Sequence, residues 1–156
     1  MFKNILAALF AVALVSNASA QIQDKPDLLG EVQLYEMEDD AKNQWAKVLS
    51  KLQRDSKEYV DTWARLQMRL YDVRVAWEKA WNDVGGQEAN PTLWRQRQEM
   101  SLWCYSLEGR PLPASDKLDQ AAEDFAVLDV RIKLCRENLP ALNDKVLRKQ
   151  KAGKKQ

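Results

Sequence analysis

The chain has 156 residues, with 24 basic and 23 acidic side chains and no histidine. A balance this close to neutral argues against a general nucleic-acid binder, and the lack of histidine removes the commonest general base and the commonest metal ligand together. Serine or cysteine nucleophiles that depend on a histidine partner go with it.

Residues 1–20 read as a secretory signal peptide. Lys3 supplies the positive start, Ile5 to Val15 is an unbroken apolar run, and Ala18-Ser19-Ala20 places small residues at a cleavage site. The apolar run is short of the roughly 20 residues of a spanning helix. The expectation is cleavage between Ala20 and Gln21 and a protein that is periplasmic or secreted, with a single helical domain over residues 21–149. Charge is uneven along that chain. Asp24 to Asp40 is strongly acidic, and Lys145 to Gln156 is basic, with residues 150–156 expected as a disordered tail.

From Glu31 to Val84 there is neither glycine nor proline. Leu34, Met37, Ala41, Trp45, Val48 and Leu52 recur at helical steps. A regular heptad seam then runs through Tyr59, Trp63, Leu66, Leu70, Val73, Trp77, Ala80 and Val84. Between Val48 and Tyr59 the spacing equals a four-residue insertion in the heptad, at Asp55 and Ser56. The pattern predicts one long coiled-coil-like helix over about 31–84, with two helices meeting near Arg54–Lys57 as the alternative.

Gly85-Gly86 ends this helix. Asn90 and Pro91 open the next, as cap and first residue, over about 91–107. Arg110-Pro111-Leu112-Pro113-Ala114 must be extended. Ser115 or Asp116 caps a last main helix over about 116–139, with apolar steps at Leu118, Ala121, Phe125, Leu128, Ile132, Cys135 and Leu139. Pro140 predicts a kink or restart, with a short helical piece carrying Leu142, Val146 and Leu147. The fold class is all-α: a long helix with two shorter helices packing back on it as an elongated bundle.

Cys104 and Cys135 are the two cysteines, and in an oxidising compartment they read first as a disulfide. Two buried thiols and an intermolecular bridge are the alternatives. Cα atoms must come within about 7 Å to bond. In a tight hairpin these two positions would be far apart, so the disulfide demands that the last helix overshoot the end of its predecessor. The extended segment Glu108–Ser115 supplies the reach.

Trp45, Trp63, Trp77, Trp81, Trp94 and Trp103 are candidates for an interaction surface, or else they fill the interhelical core. Adjacent acidic pairs such as Asp39-Asp40 and Glu123-Asp124 point in different directions on a helix and form no catalytic dyad. The expectation is a protein that is not an enzyme, with no catalytic residues, metal or cofactor. It would act by protein–protein contact as an adaptor, chaperone, secretion accessory or inhibitor, through a partner or self-association along the long helix. Contact of the basic tail with membrane or peptidoglycan is a weaker expectation, as is a ligand-binding bundle with tryptophans around a pocket.

Leu118 to Ile132, LDQAAEDFAVLDVRI, resembles in pattern the distal helix of the inner-membrane spanin subunits of tailed phages. The order of features is similar to theirs: a hydrophobic N-terminal segment, a long coiled coil, a loop with proline and cysteine, and a final helix. The resemblance implies an envelope-lysis subunit held by an uncleaved anchor. The chain departs from that family at Ala18-Ser19-Ala20, since a spanin keeps the segment that this site would release.

Overall fold

A computed structural model describes residues 24–84 and 91–153, with side chains for these except at 80–84, 93 and 139–153. The signal-peptide segment, the Gly85-Gly86 stop and the Asn90 cap lie outside the described residues. A short 3-10 turn, Asp27–Leu29, precedes four helices: α1 (Leu34–Leu49), α2 (Lys57–Val84), α3 (Pro91–Tyr105) and α4 (Leu118–Gly153). The described residues contain no strand, and the all-α bundle expected from the periodicity is what forms.

The single helix expected over 31–84 is interrupted, and this is a correction. α1 closes at Leu49 with tight turns, Lys51 N donating to Val48 O and Leu52 N to Leu49 O at 3.1 Å each. Asp55 then takes a left-handed conformation, φ +53°, which aspartate tolerates better than most residues. Ser56 caps α2, its Oγ accepting from Tyr59 N at 3.2 Å. The heptad insertion is therefore resolved as a reversal. A straight helix would have carried Met37 and Trp45 away from any partner. Folding back lets Trp45 and Leu49 enter the same core as Tyr59 and Trp63.

α4 is the axis of the molecule and packs against the other three helices. α1 runs antiparallel to it, its Lys42 ammonium reaching Asp119 at 3.1 Å and Glu123 at 3.5 Å. α2 runs parallel to α4, from Tyr59 beside Phe125 to Trp77, whose indole N–H donates to Cys135 O at 3.2 Å. α3 descends antiparallel to both, and the chain then continues down α2 without helix. Trp63 Nε1 donates to Arg110 O at 3.2 Å and the Tyr59 hydroxyl to Pro113 O at 2.8 Å. These bonds give the proline-rich stretch its backbone partners, as buried polar groups require.

Two further boundaries differ from expectation. α3 ends at Tyr105, and the turn after it uses Gly109 at φ +72°. α4 starts at Leu118 and continues through Pro140 to Gly153 with no restart, so the short piece carrying Leu142, Val146 and Leu147 belongs to the same helix. Residues 154–156 of the basic tail lie outside the described residues.

Candidate functional site

Cys104 and Cys135 are brought together, with Sγ atoms at bonding distance and Cα atoms 6.1 Å apart. Both are completely buried. The overshoot that a bridge demanded is present: α3 stops alongside Arg131 and Cys135, well up α4, and the 106–117 segment covers the remaining distance.

The tryptophans are mostly core. Trp45, Tyr59 and Trp63 surround Phe125, with ring centroids at 5.0, 5.6 and 4.9 Å. These tilted contacts join α1 and α2 through one residue of α4, in the spacing that aromatic pairs favour. Trp63, Trp77 and Trp103 are buried and Trp45 and Trp94 half-buried. Trp63, Trp77 and Trp103 thus fill the interhelical core, the alternative reading of the tryptophans, and Trp45 packs against it; the Trp81 side chain lies outside the described set. Trp45 also donates its indole N–H to Asp129 Oδ2 at 3.2 Å.

Two arginines, Arg97 and Arg131, are buried. Arg131 is 1% exposed, stacked 3.8 Å from the Trp103 ring centroid. Its Nη1 donates to Trp103 O at 2.6 Å and to Ser106 Oγ at 3.1 Å. The guanidinium therefore sits on the carbonyl end of α3, where a helix carries partial negative charge. Burial pushes its pKa down to about 10, with Glu38 opposing that shift. Burial likewise raises the Glu38 carboxyl above its ordinary range while Arg131 pulls it back. Arg97 is 4% exposed, and its Nη2 donates to Trp77 O at 2.8 Å. Burial brings it to about 10 as well, opposed by Tyr105. These groups join helices: Arg131 of α4 to α3, and Arg97 of α3 to α2.

A cleft of about 180 Å³ lies between α2 and α3, lined by Trp77, Trp94, Arg97 and Tyr105 among others. Sites for small-molecule ligands usually span about 300–1,000 Å³, so it is small for an organic ligand. Among the described residues no cluster of acidic or cysteine side chains is arranged to hold a metal ion. No described helix is long and apolar enough to cross a membrane.

What sequence reasoning missed lies on the outside of α2. Val60, Ala64, Met68, Tyr71 and Val75 are all exposed, the four larger ones by 42–59%. At 100° per residue they fall within an arc of about 80°, well away from the Tyr59–Trp77 seam that faces the core. One flank of this stripe is closed by the chain itself. Gln67 Nε2 donates to Leu107 O at 3.2 Å, Gly109 N donates to Gln67 Oε1 at 3.0 Å, and Arg74 pairs with Glu108 at 3.1 Å. The other flank is open and carries Glu58, Arg65, Asp72 and Lys79, all exposed. The signal was present in the sequence as a second set of three- and four-residue steps, hidden behind the stronger seam with its tryptophans.

The chain matches no protein-family model, no curated protein and no solved structure.

Proposed function

We propose that this is an exported, non-enzymatic helical protein that works by protein–protein contact, with the outer face of α2 as its contact surface. The observation that carries the reading is the exposed stripe Val60, Ala64, Met68, Tyr71 and Val75 on a helix whose opposite side is already committed to the core. Single exposed apolar residues need no explanation, but an apolar row along one helix face marks an interaction site. The signal-peptide pattern of residues 1–20 and the absence of histidine support export and the lack of catalysis.

The test places a photo-activatable residue at Met68 or Tyr71 of the exported protein in its native cells, with Lys51 as an exposed control. Cross-links to a defined protein from the stripe positions and not from Lys51 are expected. No cross-link at either stripe position, in a protein that is exported and folded, overturns the reading. N-terminal sequencing of the same material checks export: Gln21 is expected first, whereas a retained Met1 would favour the anchored, spanin-like alternative.

A further inference from the structure

We infer that the occupant of this α2 face is a second copy of the chain, packed antiparallel about a two-fold axis near Met68. The inference rests on the contact-surface reading above and adds the partner and its direction. Its basis is the pattern of charges on the open flank. Along that flank Glu58, Arg65, Asp72 and Lys79 follow one another at seven-residue intervals, and each is exposed. In an antiparallel pair of identical helices such a row faces its own copy in reverse order. Arg65 then comes opposite Asp72 of the second copy, and Glu58 opposite Lys79. Symmetry repeats both pairs, so each of these four charges meets its opposite.

The apolar residues centre on this axis to within one residue: Val60 comes near Val75, Ala64 near Tyr71, and Met68 near its own copy. A small side chain thus faces the largest one, and the flexible methionine fills the centre. A parallel pair does worse. There each flank faces the other flank of its copy, which sets Arg74 near Lys79 and gives Glu58 and Asp72 no basic partner at the matching heptad position. Asp61 and Glu78, toward the two ends of the stripe, are each ion-paired within their own helix, to Lys57 and to Arg74.

From Lys57 to Lys79 the helix runs about 33 Å. A strip one helix wide and that long buries less than the ~800 Å² per partner of a standard interface. Self-association is therefore expected in the micromolar range.

The experiment is sedimentation equilibrium of the exported protein and of charge-swapped variants, with circular dichroism to check that each variant is folded. The wild-type chain should be a concentration-dependent dimer. Arg65→Asp and Asp72→Arg each set like charges opposite one another twice, and each should weaken the dimer by about tenfold or more. The two variants mixed together should form a heterodimer, and the double variant should dimerise like the wild type. Met68→Lys, at an exposed position, should leave a folded monomer. A wild-type chain that stays monomeric to its solubility limit overturns the inference, as does a dimer indifferent to these swaps or single variants that do not rescue one another. Cross-linking from Met68 to a different protein, with the chain monomeric, would overturn self-pairing while leaving the contact surface in place. An absence of any cross-link would remove both.

Discussion

At the scale of single residues, the unusual choice is a buried charge at the junction of three elements. Arg131 belongs to α4, donates to the end of α3, and lies near Glu38 of α1. A guanidinium is well suited to this position, since its flat face covers an indole while its edge reaches carbonyls. Among the described residues its Nε has no hydrogen-bond partner, nor has the buried indole N–H of Trp103, so part of the desolvation goes uncompensated there. Arg131→Ala should therefore cost about 3 kcal/mol or more, by opening a cavity and leaving the α3 carbonyls without this donor. Arg131→Met keeps most of the volume and removes the buried charge, and should cost about 1 kcal/mol or less. Urea unfolding of the two variants measures the difference. Equal losses would mean that the cap on α3, and not the filled volume, dominates. Nothing in the sequence marked this residue, because arginine on an otherwise regular helix reads as solvent-facing.

At the scale of elements, what was legible followed from periodicity, and what was missed followed from tertiary choice. The seam from Tyr59 to Trp77, the two later helices and the extended proline segment all appear where spacing and proline chemistry put them. The α1–α2 reversal was weakly marked, because no glycine or proline stands there. Its only local signs were the heptad insertion and the Asp55-Ser56 pair. The decision is made elsewhere, by the burial that α4 offers to both Trp45 and Trp63 through Phe125. Asp55 is the hinge of the reversal and also accepts from Ser115 Oγ at 2.7 Å, tying the turn to the entry of α4. Asp55→Ala loses that bond, about 1 kcal/mol, and strains the left-handed position by roughly 1 kcal/mol more. Asp55→Asn keeps both features and should be close to neutral. Thermal unfolding of the pair separates the role of the turn from general sensitivity of the loop. The continuation of α4 through Pro140 was equally hidden. The ring forgoes one bond, to Arg136 O, and the flanking residues remain good helix formers.

At the scale of the whole molecule, α3 and the segment after it depend on the covalent link more than the rest does. α1 and α2 are both anchored on α4 by the aromatic cluster around Phe125. The attachment of α3 to α4 is concentrated at Cys104–Cys135 and at the Arg131 bonds a helical turn away. The two cysteines are separated by 31 positions in the chain, and closing a loop of that size restricts the unfolded chain enough to contribute about 3–4 kcal/mol. Cys104→Ser with Cys135→Ser should lower stability by about that amount, since two small polar groups would then occupy a dry site. The loss should also be uneven. Hydrogen exchange of the double variant is expected to quicken first in 91–117, while α1, α2 and the 118–130 part of α4 retain protection through Phe125. A uniform loss of protection would show that the bundle unfolds as one cooperative unit. The outer face of α2 is held by the aromatic cluster at one end and by Gln67 and Arg74 contacts to 107–109 at the other. Reduction should therefore loosen the closed flank of the stripe while leaving Glu58, Arg65, Asp72 and Lys79 on the open flank in place.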